Sequence, residues 1–185
     1  REAAEFAARF FADKNVRRVL VGGTEDNVAS FRSLLPKAWQ SLIVGTFSMA
    51  MTASKDDVLD RAMQIGRLAE QRREVQLIKS VVTSAAKGRG GVTGLDNTLH
   101  ALQDGRVHTL IIREGFRAPG YICQGCGYLT AKEIEVCPFC GQMVENIPDA
   151  VEMAVHKVME QGGEVEVLHD AEVTEKIGHI GAQLH

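Results

Sequence analysis

The fold of this chain is most constrained by four cysteines arranged as two Cys-x-x-Cys pairs. Cys123 and Cys126 form the first pair, and Cys137 and Cys140 form the second pair ten residues later. Two such pairs predict two knuckles that meet at one tetrahedral metal ion held by four thiolates. A pair of disulfides or four free core cysteines are the alternatives. Disulfides are typical of secreted chains, and nothing in this sequence indicates secretion.

The spacing leaves the choice of metal open between zinc and iron, because four thiolates bind either ion. An electron-transfer iron site would need a second redox partner, and the sequence has no second cofactor motif. We therefore expect zinc, with iron as the alternative. Four protein ligands leave no open coordination position, so the ion is expected to be structural.

The composition indicates an ordinary globular protein. Of the 185 residues, 45% are hydrophobic and 24% are charged, which excludes a wholly disordered chain. The net charge of -3 argues against binding nucleic acid through bulk electrostatics. Residues 1–14 read as an amphipathic helix and not as a secretion signal, so we expect a cytoplasmic protein. The first residue is not Met, and further residues are expected upstream.

Hydrophobic periodicity predicts helices and strands in alternation. A possible capping box at Ser54 and Asp57 begins a long helix that is expected to end near Ala86. The segment 87–91 is rich in glycine and is expected to be a mobile linker. The other expected helices are 2–12, 24–35, 95–102, a helix opened by Pro148, and 171–177; the expected strands are 16–21, 42–47, 107–112, 164–168 and 179–184.

Several of these segments carry a family resemblance. Residues 94–105, with the strand 107–112, resemble the third domain of archaeal and eukaryotic class 1 peptide chain release factors and of their bacterial relatives. Residues 176–181 resemble the end of that domain, and residues 19–23 with the next helix resemble the later part of the middle domain. Archaeal members also carry cysteine pairs in a small inserted subdomain, as this chain does at 123–140. Pelota-type ribosome rescue factors share the architecture.

The resemblance implies an α/β fold with two parts. Residues 1–52 would be the C-terminal part of a middle-domain-like α/β unit. Residues 53–185 would form an α/β/α sandwich of the kink-turn ribosomal-protein type, with an inserted metal-binding hairpin at about 119–146. The implied function is docking on the ribosome and on a translational GTPase during termination. A Pelota-like or peptidyl-tRNA-hydrolysing rescue factor and a non-catalytic zinc-ribbon RNA-binding module are the alternatives.

The helix after Gly94 tests the RNA-binding alternative. Kink-turn-binding proteins of this fold have a motif similar to Gly-x-Asn-Glu-x-x-Lys, which offers polar and basic groups to RNA. This chain has Asp96, Asn97 and His100 at those places. A carboxylate aimed at phosphates is repulsive in most geometries, so direct kink-turn binding is not expected.

The sequence contains no recognisable catalytic motif. Release factors share a Gly-Gly-Gln loop, which this sequence does not contain: Gly22-Gly23 is followed by Thr24, for example, and Gly90-Gly91 by Val92. Any hydrolysis of peptidyl-tRNA would therefore depend on residues upstream. Gly22 and Gly23 lack the third glycine of a dinucleotide fingerprint and the Gly-Lys of a P-loop, so they are expected to form a tight turn.

Overall fold

In the computed structural model, residues 1–50 and 52–185 are described. The chain forms two compact units, residues 1–73 (the N-terminal unit) and 74–185 (the C-terminal unit), and the long helix continues through both. The sequence places the domain boundary near residue 53, and that boundary stays a prediction. No helix among the described residues is both long and apolar enough to cross a membrane.

The N-terminal unit is built on a parallel pair of strands. In chain order it contains α1 (Glu2–Phe11), β1 (Val19–Gly23), α2 (Glu25–Leu34), α3 (Lys37–Gln40), β2 (Ile43–Ser48) and the first part of α4 (Lys55–Ala86). β1 pairs with β2 in parallel. The buried apolar residues in the described part of this unit are Ala4, Val21, Leu35 and Phe47.

The predicted capping box of α4 is present. The Ser54 hydroxyl accepts a 3.1 Å bond from the backbone N–H of Asp57, whose carboxylate accepts bonds from the Ser54 N–H and hydroxyl. The hydroxyl bond from Ser54 is the main reason that the pKa of Asp57 is lowered. The helix then runs to Ala86, as the sequence predicts.

After the end of α4, the C-terminal unit contains β3 (Gly91–Thr93), α5 (Leu95–Gln103), β4 (Val107–Arg113), β5 (Gly120–Cys123), β6 (Leu129–Thr130), β7 (Val144–Ile147), α6 (Ala150–Glu160), β8 (Glu164–Leu168), α7 (Ala171–Glu175) and β9 (Ile180–Leu184). Four of these strands form a sheet with the order β3-β9-β4-β8. β9 is antiparallel to both of its neighbours, whereas β4 and β8 are parallel.

The sheet is covered on both faces. Leu110 of β4 belongs to a core cluster with side chains of α5 and α6, while the next residue, Ile111, packs in a second cluster with Ile78 and Val81 of α4. Successive residues of a strand point to opposite faces of its sheet. The unit is therefore an α/β/α sandwich, and the predicted fold class is confirmed.

The cysteine segment forms its own three-stranded sheet, with β5 between β6 and β7. It interrupts the sandwich between β4 and α6, at the place predicted for the insertion. Its base is part of the main core, because Leu129 is 3% exposed and belongs to the cluster that contains α5 and α6.

Several predicted boundaries differ from the structure. The strand expected at 16–21 runs from Val19 to Gly23, so Gly22 and Gly23 lie in β1 and do not form the predicted tight turn. α6 begins at Ala150 and not at Pro148, because the Asp149 carboxylate accepts bonds from the N–H groups of Val151 and Glu152 and caps the helix. The segment 87–91, predicted to be a linker, forms a turn that leads directly into the strand β3.

Candidate metal centre

The four cysteine sulfurs lie together at the end of the inserted hairpin. All four Sγ atoms are within 4.8 Å of one another; the Sγ atoms of Cys123 and Cys140 are 3.3 Å apart, and those of Cys126 and Cys137 are 3.5 Å apart. These distances exceed a disulfide bond of about 2.05 Å. Four sulfurs at about 2.3 Å from a central zinc ion would be about 3.8 Å apart in a regular tetrahedron. The donor set therefore fits a four-thiolate metal ion.

The two knuckles repeat one backbone pattern. Gly127 N–H donates to the Cys123 carbonyl at 2.9 Å, and Gly141 N–H donates to the Cys137 carbonyl at 3.0 Å. Both glycines have left-handed backbones, with φ of 70° and 73°. Any other residue would be strained at these positions, since only glycine adopts this conformation without steric cost. Glycine after each Cys-x-x-Cys thus lets each loop fold back on itself.

Each knuckle buries its first cysteine and exposes its second. Cys123 and Cys137 are 1% and 2% exposed, whereas Cys126 and Cys140 are on the surface. The backbone N–H groups of the two buried cysteines also form local hydrogen bonds: Cys123 donates to the Tyr128 carbonyl, and Cys137 donates to the Gln142 carbonyl. The site is thus half embedded in the hairpin, with two buried and two exposed cysteines.

The sulfurs strongly perturb one another's protonation. The backbone N–H of Cys126 is the main cause that lowers the pKa of Cys123 to about 6. For Cys140, a bond from the Gln142 N–H lowers the pKa, but the hydrogen bonds shared with the other cysteines and desolvation outweigh it and raise the pKa to about 12. The pKa of Cys126 is also raised. The lowered pKa therefore favours the thiolate form of Cys123, which is the form that binds a metal ion.

The first knuckle is attached to the sandwich by a lysine. Lys157 of α6 donates through Nζ to the Gly127 carbonyl at 2.7 Å and to Gln103 Oε1 of α5 at 3.1 Å. A second bond links the hairpin internally, from Gln124 Nε2 to Glu145 Oε2 at 2.7 Å. Sequence reasoning missed Lys157, because a single lysine on an amphipathic helix gives no sign of a partner 30 residues away.

Among the described residues, the four cysteines are the group that can hold a metal ion. The residues at the kink-turn positions lie elsewhere, on the exposed side of α5. Asn97 uses its side-chain amide to bind the Thr93 carbonyl at 3.0 Å. His100 lies 3.8 Å from the Asp104 carboxylate.

Comparisons with known proteins support the release-factor resemblance from two directions. Residues 1–67 match the model of the bacterial archaeo-eukaryotic release factor family 10. No curated protein matches the sequence.

The second line of support comes from solved structures. Ribosome-bound archaeal Pelota, described together with ABCE1, aligns over 100% of this chain and 47% of its own, with a TM-score of 0.57 and 20% identity. Dom34 of S. cerevisiae is a translation termination-like factor that interacts with Hbs1. It aligns over 98% of this chain and 51% of its own, with a TM-score of 0.62 and 10% identity. Pelota of Archaeoglobus fulgidus aligns over 100% of this chain and 54% of its own, with a TM-score of 0.50 and 17% identity.

These alignments show that the fold is that of the Pelota and Dom34 proteins. The chain spans about half of the length of these three proteins. The predicted resemblance to the release factors is confirmed by sequence over residues 1–67. Over essentially the whole chain, the fold matches Pelota and Dom34, whose type of protein was expected to share the architecture.

Proposed function

We propose that this chain is the C-terminal part of a release-factor-like translation protein, and that it docks on the ribosome and on a translational GTPase during termination. The observation that carries the proposal is the agreement of two independent matches, one of sequence over residues 1–67 and one of fold over 98–100% of the chain. We place the protein in the cytoplasm, where its relatives in translation act.

The partners follow from those of the structural relatives. Dom34 is described as interacting with Hbs1, and archaeal Pelota is described as ribosome-bound with ABCE1. Because the chain has the same fold as the corresponding half of these proteins, we propose a translational GTPase and the ribosome as its partners. Hydrolysis of peptidyl-tRNA would require residues outside this chain.

Ribosome rescue is the second candidate. It is favoured by the solved structures, since those with TM-scores of 0.57 and 0.62 are a Pelota and Dom34. The two functions differ in the ribosome that the protein recognises: a stop codon occupies the A site in termination, whereas rescue acts on stalled ribosomes.

Binding to defined ribosomes tests both candidates. The labelled chain is sedimented with ribosomes that carry a stop codon in the A site, and with ribosomes stalled on an mRNA truncated after the P site. We expect saturable binding that the unlabelled chain displaces, and stronger binding in the presence of a translational GTPase with a non-hydrolysable GTP analogue. Preference for one ribosome selects between termination and rescue. Absence of binding to either ribosome, with and without the GTPase, would contradict the proposal.

We further propose that Cys123, Cys126, Cys137 and Cys140 hold one structural zinc ion, with iron as the alternative. The closed set of four thiolates and the sulfur distances support a structural role, because no ligand position is left for a substrate. Elemental analysis of the purified chain should give about one equivalent of zinc. Visible absorption from a ferric–thiolate site, together with one equivalent of iron, would establish the alternative, and less than half an equivalent of both metals would contradict the site.

A further inference from the structure

A groove of about 670 Å³ follows β3, the edge strand of the sandwich sheet. We call it the β3 groove; it is lined by the end of α4, the turn before β3, β3 itself, and residues of α5, β9 and neighbouring loops. Its basic side chains are Arg89, Arg106, Lys176 and His185, and its lining contains no Asp or Glu side chain. A cationic lining is unexpected in a chain with a net charge of -3.

The turn that carries Arg89 is held in place by the helix before it. Gly88 N–H donates to the Ala85 carbonyl at 2.9 Å, and Arg89 N–H donates to the Ser84 carbonyl at 3.2 Å. Gly88 and Gly90 have φ of 68° and 76°, and both therefore use the left-handed freedom of glycine. The glycine-rich segment thus places an arginine at a fixed point of the groove.

Two of the cations have no acidic partner. Arg106 binds the Asp104 carboxylate, with its Nη2 at 2.8 Å, and is partly neutralised. Arg89 and Lys176 are exposed and make no ion pair within the described part of the chain. These two side chains therefore leave uncompensated positive charge in the groove.

The backbone of β3 adds a hydrogen-bond donor at the same edge. Leu184 N–H binds the Gly90 carbonyl, and Gly94 N–H binds the Ile180 carbonyl, so Gly90 and Gly94 face β9. Residues of an antiparallel strand alternate between facing and turning away from the partner strand. Gly91 and Thr93 therefore turn their N–H groups away from β9. Gly91 is buried against the end of α4, so Thr93 is the residue that offers a partly exposed N–H at this edge.

We propose that the β3 groove binds the phosphate groups of an RNA backbone. Arginine, lysine, backbone N–H and hydroxyl groups are the donors that contact phosphates without reading the base sequence. The lining has no Phe, Tyr or Trp on which unpaired bases could stack, which favours duplex over single-stranded RNA. Asn97, at one of the kink-turn positions, also lines the groove, but the proposed contact relies on Arg89 and Lys176 and does not need the kink-turn motif.

An acidic peptide is the competing occupant. It would have to add to β3 as a further strand, but β3 is only three residues long and leaves few backbone groups for pairing. Phosphate contacts do not need a continuous strand, because each one is made by a separate donor. The groove therefore fits an RNA backbone better than an extended peptide.

The proposal is tested by fluorescence anisotropy with a labelled 16-base-pair RNA duplex and the full chain between 50 and 200 mM KCl. We expect binding that weakens as the salt concentration rises. Arg89→Ala and Lys176→Ala should each lower affinity several-fold and reduce the slope of log K against log salt by about one. The double variant, which carries both alanine substitutions, should bind the duplex with an affinity that is lower by about tenfold or more. A variant that exchanges the two residue types, Arg89→Lys with Lys176→Arg, should retain binding.

The matched control is Arg17→Ala, which removes an exposed arginine of the N-terminal unit and should leave affinity unchanged. Equal binding by wild type and the double variant, or no binding at 50 mM KCl, would overturn the proposal. Displacement of the duplex by poly-glutamate at a much lower concentration than by unlabelled duplex would indicate the acidic peptide. Displacement by millimolar inorganic phosphate alone would indicate a small-anion site. Circular dichroism of each variant ensures that the affinities compare folded chains.

Discussion

Lys157 Nζ donates a 2.7 Å hydrogen bond to the Gly127 carbonyl and so joins helix α6 to the first cysteine knuckle. The same ammonium group reaches Gln103 Oε1 on α5 at 3.1 Å. One cation thus connects both helices on this face of the sandwich to the loop that carries Cys126. We expect this contact to orient the candidate metal centre on the sandwich, because Gly127 lies directly after Cys126, a proposed ligand.

We expect Lys157→Met to loosen the first knuckle. Methionine preserves much of the side-chain volume but leaves the Gly127 carbonyl without its donor, and a hydrogen bond to a charged group contributes about 1.5–3 kcal/mol. A chelator should remove the metal ion faster from this variant than from wild type. Lys79→Met, at an exposed position of α4, is the control and should release the metal at the wild-type rate. Equal release rates for the two variants would show that the knuckle holds its shape without Lys157.

The cysteines and the base of the hairpin should contribute differently to stability. We expect Cys137→Ala to abolish stoichiometric metal binding and to loosen the hairpin, while the sandwich stays folded, because the sulfurs lie beyond the main core. Leu129→Ala should lower the free energy of global unfolding by about 2–5 kcal/mol, since Leu129 is 3% exposed within that core. Far-UV circular dichroism during urea unfolding measures both effects. Loss of all helical signal in Cys137→Ala would show that the metal is needed for the sandwich itself.

Glu74 should be more important for stability than its place on a polar helix suggests. Glu74 is 2% exposed, and its carboxylate accepts bonds from the N–H groups of His169 and Asp170, both at 3.1 Å. In Glu74→Gln, one of these donors faces an amide NH₂ group, so we expect the free energy of unfolding to fall by about 1–3 kcal/mol. Urea unfolding measures this loss. The same change at the exposed Glu160 should have almost no effect, and an equally small effect at Glu74 would mean that the two backbone donors find other partners.

Metal binding should release fewer than four protons at neutral pH. The pKa of Cys123 is lowered to about 6, so this thiol is already a thiolate at pH 7.5, while the raised pKa values of Cys126 and Cys140 keep those two protonated. At pH 5 Cys123 is protonated as well, so binding should release about one more proton there, and affinity should fall as the pH drops. Zinc titration in weakly buffered solution with a pH indicator measures the release, with magnesium as the blank. The same proton count at both pH values would contradict the lowered pKa of Cys123.

Local patterns in the sequence predicted the parts of the structure that depend on local contacts. Ser54 and Asp57 are three residues apart and form the expected capping box. Each cysteine knuckle also closes within a few residues, through a glycine that follows the second cysteine. In both cases the hydrogen-bonding groups are brought together by a single turn of the backbone, so the residue types and their spacing are enough to predict the contact.

Other parts could not be predicted, because they depend on which elements the sheet places side by side. Glu74 and His169 are 95 residues apart, and their contact requires α4 to lie beside the loop after β8. The β3 groove likewise exists only because the glycine-rich turn forms the sheet edge next to β9.

By itself, the sequence determined the four cysteines of one candidate metal centre, the alternation of helices and strands, and the resemblance to release factors. Only the tertiary structure decided that Lys157 holds the first knuckle and that Arg89 faces a groove with no acidic side chain. The physical reason is that a turn or a helix cap is stabilised by neighbouring residues. A contact across the sandwich is stabilised only after the whole sheet has brought its two partners together.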